Sequence, residues 1–245
     1  MRSLAAAELL SIWETGWGVT PSERALALLA PAFPELTPQN LATLSIGDRD
    51  GRLLTLREAT FGSQIDATAH CPGCGERLEL AMQVADIRVA DLPDQAATEN
   101  SLSVEGYEIQ FRLPGTADLA AVATESDLAR ARQMLLSRCL IAARHTDSDA
   151  PLDQLPERVL SAVVAKMADV DPQANVELAV SCPNCHQKWE ASFDIASFFW
   201  SELDAWGQQI VREVHALASA YGWREADIVA MSPRRRQMYL ELIGT

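Results

Sequence analysis

The feature that most constrains this chain is a pair of Cys-Pro-x-Cys segments that lie far apart in the sequence. They are Cys71-Pro72-Gly73-Cys74 and, more than a hundred positions later, Cys182-Pro183-Asn184-Cys185. A Cys-x-x-Cys turn supplies two thiolates from one tight loop, and two such turns complete the tetrahedral shell that Zn²⁺ prefers. We therefore predict one structural Zn²⁺ per chain. Its ligands would be Cys71, Cys74, Cys182 and Cys185.

Apolar residues alternate with others on both sides of each cysteine pair. Every second residue is apolar from Ile65 to Ala69 before the first pair and from Val176 to Val180 before the second, and the same period follows each pair. A period of two is typical of a half-buried strand. Each pair is therefore predicted to form the turn of a strand-knuckle-strand hairpin, and the two hairpins are predicted to meet as a zinc ribbon-like core.

The same cysteine pairs allow a second chemistry, because Cys-Pro-x-Cys also resembles the active sites of glutaredoxin-type enzymes. In those enzymes a helix that starts after the first thiol lowers the pKa of that thiol. Strand patterns follow both pairs here, and two copies with matching flanks suit a shared ion better than two independent redox centres. A thiol-disulfide oxidoreductase is therefore the alternative to structural zinc, and zinc is favoured.

Two histidines adjoin the predicted knuckles. His70 precedes the first pair and His186 follows the second, so either side chain could replace a thiolate or donate an outer hydrogen bond. A complete four-cysteine shell leaves no coordination position for water, and closed zinc sites stabilise folds rather than catalyse. We therefore predict a protein that is not an enzyme, and whether a histidine joins the metal shell stays open.

The composition narrows the classes of partner. The chain has 245 residues, of which 48% are hydrophobic, so it is long enough to bury a core. Its formal net charge of −14 would repel a phosphate backbone, so no nucleic-acid partner is expected.

Glu8 interrupts the first apolar run, and no stretch of about 18 apolar residues occurs, so we expect a cytoplasmic protein without a membrane span. No phosphate-binding loop or nucleophile elbow points to a small-molecule substrate.

The two hairpins divide the chain into segments. Residues 1–62 are predicted to be an N-terminal helical segment, and residues 63–90 and 173–195 to form the zinc ribbon-like core. Residues 91–172 are predicted to be a mainly helical insertion between the hairpins, and residues 196–245 a C-terminal helical segment. The predicted fold class is α+β, mainly helical, with the core split by the insertion.

The N-terminal segment carries recognisable helix starts. Thr20-Pro21-Ser22-Glu23 is a capping box with proline in the first turn, and Thr37-Pro38 repeats the start. Pro31 and Pro34 are expected to separate the two helices. The segment Asp48-Arg49-Asp50-Gly51 lacks the spacing of a calcium loop and is interpreted as a capped turn that precedes a further helix.

The insertion is predicted to contain a strand near Tyr107 to Leu113 and two helices. The first helix would start near Thr124 or Asp127, and the second would run from Pro156 to Asp171-Pro172. The apolar stripe of the first helix is expected to consist of Leu128, Ala131, Leu135 and Cys139. Since a cysteine on such a stripe usually packs against its neighbours, the fifth cysteine is not expected to be a nucleophile.

Three consecutive arginines crowd the start of the predicted last helix, which begins at Ser232-Pro233. They are Arg234, Arg235 and Arg236. Cations are mildly unfavourable at a helix N-terminus, so this placement requires a compensating partner. The favoured interpretation is a solvated face paired with acids such as Glu225 or Asp227, and the alternative is a docking site for an acidic partner surface.

Two aromatic residues accompany these arginines as candidates for partner contact. Trp223 follows the predicted helix stop at Gly222, and Tyr239 lies on the last helix. Aromatic and arginine side chains dominate the energetics of protein interfaces. Trp223, Tyr239 and the three arginines are therefore weak candidates for a partner-binding surface.

Several segments make the chain similar to the baseplate hub assembly chaperone family of T-even-like tailed phages and to related proteins of phage-tail-like contractile injection systems. These segments are Leu44-Ser45-Ile46-Gly47-Asp48-Arg49-Asp50, Phe61-Gly62, Cys71-Pro72-Gly73-Cys74, Glu213-Val214-His215-Ala216-Leu217, Tyr221-Gly222-Trp223, Ser232-Pro233-Arg234-Arg235 and Tyr239-Leu240-Glu241. The resemblance covers the two ends better than the insertion. It implies an assembly chaperone that acts on the baseplate hub in the cytoplasm of a bacterial host, with baseplate or hub tail proteins as partners.

This sequence departs from the simpler phage pattern in two respects. It carries a second cysteine knuckle and a long N-terminal helical extension. A permanent structural component of the baseplate is therefore the alternative to a chaperone.

Overall fold

The computed structural model describes residues 1–89, 100–146 and 148–244. Its helices are α1 (Ala6–Thr15), α2 (Pro21–Ala32), α3 (Pro38–Thr43), α4 (Ile46–Phe61), α5 (Val84–Ile87), α6 (Thr116–Val122), α7 (Leu128–Cys139), α8 (Glu157–Val170), α9 (Ile195–Tyr221), α10 (Glu225–Val229) and α11 (Pro233–Leu242). Its strands are β1 (Gln64–His70), β2 (Arg77–Gln83), β3 (Asn100–Val104), β4 (Tyr107–Phe111), β5 (Leu140–His145), β6 (Ser148–Asp149), β7 (Val176–Ser181) and β8 (Lys188–Phe193). The fold class is α+β, as predicted. Within the described ranges, no helix is both long and apolar enough to cross a membrane.

Both predicted helix starts in the N-terminal segment are confirmed. The Thr20 hydroxyl accepts the N–H of Glu23 at 3.3 Å, and the Thr37 hydroxyl accepts the N–H of Asn40 at 3.2 Å. The expectation that Pro31 separates the two helices was wrong, because Pro31 lies inside α2. Proline at this position removes the N–H that would bond to the carbonyl of Ala27, and α2 ends one residue later, at Ala32.

The main hydrophobic core lies between the N-terminal helices and α9. Leu28 of α2, Leu53 of α4 and Phe199 of α9 are fully buried in it. A buried ion pair reinforces the contact between α4 and α9, since Arg57 donates from Nε and Nη2 to the carboxylate of Glu202 at 2.8 and 2.5 Å. The long helix α9 is therefore fixed both by apolar packing and by a charged contact.

The start of α4 differs from the prediction. The Ser45 hydroxyl accepts the N–H of Asp48 at 3.1 Å, and the helix begins at Ile46. Residues Asp48 to Gly51 therefore lie inside α4, and their interpretation as a capped turn was wrong. The physical reason is that Ser45 supplies the cap upstream of the segment, so the acidic residues fall in helical turns.

The closest approach of α4 to the rest of the chain is at Gly47. The buried carboxylate of Asp171 accepts the N–H of Gly47 at 2.9 Å. A Cβ atom on Gly47 would lie only 1.9 Å from Oδ1 of Asp171, whereas one on Gly51 would meet nothing within 4 Å. Burial raises the pKa of Asp171, although hydrogen bonds from Gly47 and Ser45 oppose this shift. Glycine is therefore required at Gly47 but not at Gly51.

The two predicted hairpins are present. β1 pairs with β2 in antiparallel register, with Ile65 opposite Met82. β7 pairs with β8 in the same way, with Val176 opposite Phe193. The hairpins are separate two-stranded sheets, and in the described part of the chain no strand ladder joins them. The strand-knuckle-strand prediction is thus confirmed, while the zinc ribbon-like arrangement of the core stays a prediction.

The insertion contains more sheet than expected. Besides the predicted strand β4, it holds β3, β5 and β6 in a four-stranded antiparallel sheet of order β3-β4-β5-β6. Val159 and Val163 of α8 cover one face of this sheet by packing with Ile109 and Phe111. Two of its strand pairs, β3 with β4 and β5 with β6, are tight hairpins of neighbouring residues, whereas the pairing of β4 with β5 joins segments distant in sequence.

The helix α7 starts as predicted and buries most of the predicted stripe. The Asp127 carboxylate accepts the N–H of Ala129 at 2.9 Å. The expectation that Leu128 is on the buried stripe was wrong, because this residue is 85% exposed. The other three residues of the predicted stripe are buried or half-buried, and Leu136 is buried beside them.

A single glutamine joins the two ends of the insertion. The side chain of Gln173 is buried, its Oε1 accepts the N–H of Val89 at 2.7 Å, and its Nε2 donates to the carbonyl of Ile87 at 3.3 Å. The predicted boundary between residues 90 and 91 lies outside the described residues. The chain that enters the insertion and the chain that leaves it are therefore held side by side.

We predict opposite effects of alanine at the two glycines of α4. Gly47→Ala should lower the free energy of unfolding by roughly 2 kcal/mol or more, because the new methyl group overlaps the Asp171 carboxylate. Gly51→Ala is the matched control and should raise it by about 0.5 to 1 kcal/mol, because the methyl group meets open space in a helix interior. Urea denaturation of both variants measures the difference, and equal effects would contradict the close approach at Gly47.

Candidate metal centre

The first knuckle is a tight turn closed by backbone hydrogen bonds. β1 ends at His70, and the N–H of Cys71 donates to the carbonyl of Glu76 at 2.8 Å. The N–H of Gly75 donates back to the carbonyl of Cys71 at 2.9 Å. Gly75 has a φ of 74°, in the left-handed region that glycine adopts without strain. The turn therefore brings both thiols of the pair to one side.

The second knuckle repeats this geometry bond for bond. The N–H of Cys182 donates to the carbonyl of Gln187 at 2.9 Å, and the N–H of His186 donates to the carbonyl of Cys182 at 3.0 Å. His186 has a φ of 59° and thus occupies the position that Gly75 holds in the first knuckle. The pseudo-repeat seen in the sequence is therefore also a repeat of local structure.

The structure brings the four predicted cysteines together. Their Sγ atoms all lie within 4.8 Å of one another. The contacts across the two knuckles are 3.5 Å between Cys71 and Cys185 and 3.6 Å between Cys74 and Cys182. Zn–S bonds of about 2.3 Å place the sulfurs of a tetrahedron roughly 3.8 Å apart, whereas a disulfide requires about 2.05 Å. The four thiols are free, and their spacing fits a tetrahedral ion such as Zn²⁺.

The centre has a buried side and an exposed side. Cys71 and Cys182 are buried within a small apolar cluster that includes Leu78 and Val180, while Cys74 and Cys185 are exposed. Half-buried strand residues of both hairpins pack around this cluster, namely Leu80, Leu178, Trp189 and Ala191. The hairpins therefore contact each other through a few apolar side chains and through the sulfurs.

The first knuckle also stabilises a thiolate by hydrogen bonds. Burial opposes ionisation of Cys71, but hydrogen bonds from the backbone N–H groups of Gly73 and Cys74 and from the neighbouring thiols outweigh it and lower the pKa of Cys71 to about 7, while the same thiols raise the pKa of Cys185. The side-chain amide of Asn184 reaches across to Sγ of Cys74 at 3.7 Å. Because a metal ligand must be the thiolate, both features favour metal binding.

Three residues near the centre were not predicted from the sequence. Asn184 contacts the opposite knuckle through Cys74, and a Cβ on Gly73 would lie 2.5 Å from Oε1 of Gln187. Gly73 and Asn184 lie between the cysteines of their pairs and Gln187 lies two residues after Cys185, but their contacts cross from one hairpin to the other. Nothing in the local pattern could have indicated them.

The two histidines occupy different positions from the cysteines. His70 is the exposed last residue of β1, and His186 is an exposed residue of the second turn. Within the described chain, the cluster of side chains close enough to share a metal ion consists of the four cysteines. The positive φ of His186 gives this residue a conformational role in the turn.

The fifth cysteine lies away from the centre. Cys139 is buried at the end of α7, and burial, with the nearby carboxylate of Asp118, raises the pKa of Cys139 to about 11. A thiol with so high a pKa is a poor nucleophile. Its placement agrees with the expectation that it packs.

The candidate contact residues at the C-terminal end fall into two groups. Arg234 and Arg235 are exposed, and Trp223 stacks edge-on against Tyr239 with ring centroids 4.8 Å apart. Arg236, in contrast, is buried.

The partner of Arg236 is a residue of α9. Its Nε donates to the carboxylate of Glu213 at 2.9 Å, and its Nη1 donates to the carbonyl of Met231 at 2.7 Å. The acid is therefore Glu213 rather than Glu225 or Asp227. Arg236 joins α11 to α9 and does not belong to the exposed surface.

Comparison with known families places both cysteine pairs within a family match. The model of a family described as T4 bacteriophage base plate protein matches residues 32–200. This range includes both cysteine pairs and the insertion. No curated protein and no solved structure matches the chain.

We predict that His186→Gly keeps the metal centre intact. Glycine adopts the positive φ of this position more readily than histidine, so the free energy of unfolding should stay unchanged or rise by up to about 1 kcal/mol, with the metal content unaltered. His70→Ala is the matched control for loss of an imidazole beside a knuckle. A metal-competition titration of both variants provides the measurement, and weaker metal binding by the His186 variant would mean that its side chain belongs to the shell.

Proposed function

Because the chain belongs to the T4 bacteriophage base plate protein family, we propose that it is a non-enzymatic assembly factor, a chaperone, for the baseplate hub of a contractile phage tail or phage-tail-like injection system. The observation that carries this proposal is the family match over residues 32–200, more than two thirds of the chain. Its partners in this role are baseplate or hub tail proteins.

The proposed metal is one structural Zn²⁺ bound by Cys71, Cys74, Cys182 and Cys185. The supporting observation is that the four sulfurs lie within 4.8 Å of one another with tetrahedral spacing. Four thiolates fill the shell of the ion, so the ion would supply stability rather than a site for a reacting molecule. The sulfur contacts run between the hairpins, which favours a shared ion over two separate redox pairs.

The proposed role of the ion is to hold the two hairpins, and hence the insertion, in place. No strand ladder joins the hairpins within the described residues, and their shared apolar cluster is small. Structural Zn²⁺ contributes roughly 10 to 16 kcal/mol to the folding of zinc-finger peptides. A contribution even well below this range would dominate the contact between the two hairpins.

The proposed contact surface for another baseplate protein lies at the C-terminal end. It comprises Trp223, Arg234, Arg235 and Tyr239. The supporting observation is that both arginines are exposed and that the two aromatic rings pack together as a rigid unit, which limits the entropy lost on binding. Arg236 is left out because it forms the buried pair with Glu213.

We predict one zinc ion per chain by metal analysis of purified protein. Cys182→Ser should reduce the zinc content to near zero and lower thermal stability, because a buried ligand is lost from the shell. Cys139→Ser is the matched control, since this buried cysteine lies outside the cluster, and it should keep its zinc. Purified protein that is folded and soluble without any metal would contradict the structural role of zinc.

If this chain acts as a chaperone, we expect it to be absent from the finished particle. Quantitative mass spectrometry of purified particles and of baseplate assembly intermediates should detect this chain in the intermediates only. Detection in finished particles at a fixed ratio to other baseplate proteins would instead identify the chain as a permanent component, which is the alternative function.

A further inference from the structure

The last helix, α11, exposes large apolar side chains on its outer face. Met238 is 58% exposed and Leu242 is 75% exposed. They lie four residues apart and therefore share one side of the helix. Arg236 and Leu240, on the opposite side, are buried. Exposed apolar residues on one helix face mark a surface that another protein can cover.

Charged residues flank this apolar stripe at both ends. Arg234 and Arg235 stand at the N-terminal end, and neither has a carboxylate within ion-pair distance in the described part of the chain. Glu241 stands at the C-terminal end, where its carboxylate accepts a long 3.4 Å bond from Gln237. Both ends oppose the helix dipole, because cations are unfavourable at an N-terminus and anions at a C-terminus.

A covering partner must therefore supply negative charge at the start of α11 and positive charge at its end. An antiparallel copy of the same helix has this pattern. Arg234 and Glu241 lie seven positions, or about two helical turns, apart and therefore on one side of the outer face. A twofold axis near Met238 thus places Arg234 of each chain against Glu241 of the other, with Met238 in the centre.

We propose that the partner of the outer face of α11, defined as Arg234, Arg235, Met238, Glu241 and Leu242, is a second copy of this chain. In the pair the two helix dipoles run antiparallel, and each arginine meets the negative end of the other helix. The aliphatic stem of Arg235 covers Leu242 of the second copy. This inference rests on the proposed function only in treating the C-terminal end as a contact surface, and a second copy would share both arginines with the baseplate protein proposed to bind there.

The size of the helix sets the strength of the pairing. Ten residues of helix span about 15 Å, so the contact buries less than the roughly 1,200 Å² of a standard interface. The net charge of −14 on each chain also opposes association. The dimer is therefore weak and concentration-dependent, and reversal of one charged position should remove most of it.

Analytical ultracentrifugation of the zinc-loaded full chain over a concentration series tests the pairing. The unmodified chain should shift from monomer toward dimer. Arg234→Glu alone and Glu241→Arg alone should each weaken association by about tenfold or more, since each creates two like-charged contacts across the axis. The double variant should restore association, because each new glutamate faces a new arginine.

Two exposed positions elsewhere provide controls for net charge. Arg158→Glu on α8 and Glu14→Arg on α1 change the total charge equally and should leave the association unchanged. A monomer at every concentration would overturn the proposal, and so would a dimer that is insensitive to the charge reversals. Neither result would alter the detection of the chain in assembly intermediates, so failure of the pairing is distinguishable from failure of the proposed function.

Discussion

The architecture depends on the meeting of four thiols from two hairpins that are far apart in the sequence. Each hairpin satisfies its own backbone by pairing its two strands, so neither needs the other for hydrogen bonds. What joins them is the sulfur cluster and a few apolar side chains such as Leu78 and Val180. Because the insertion leaves from one hairpin and returns to the other, a metal ion at this point would fix where both of its ends lie.

Two buried polar side chains also hold the ends of the insertion in place, through hydrogen bonds that do not involve the cysteines. Asp171 receives the N–H of Gly47, and Gln173 bonds to the backbone at Ile87 and Val89. These contacts hold the C-terminal end of the insertion against α4 and against the residues that precede the insertion. Gly47 belongs to a segment on which the family resemblance rests, and the structure gives it a physical reason, since any side chain there would collide with Asp171.

Local patterns predicted the parts of the fold that local chemistry decides. The knuckles, their flanking strands and the helix caps at Thr20, Asp127 and Ser232 all depend on residues within a few positions of one another. Contacts between distant residues were not predictable in this way. The pairing of β4 with β5 across α6 and α7, and the pairing of Arg236 with Glu213 instead of a sequence neighbour, both depend on how helices and strands fold back. The cysteine quartet is the exception, because the demand of zinc for four ligands links two distant motifs.

Zinc K-edge X-ray absorption of the purified protein reports the ligands of the ion. We expect a shell of four sulfur atoms at about 2.3 Å from zinc, contributed by the four cysteines. A shell with nitrogen or oxygen ligands in place of sulfur, or a protein that carries no zinc, would contradict it.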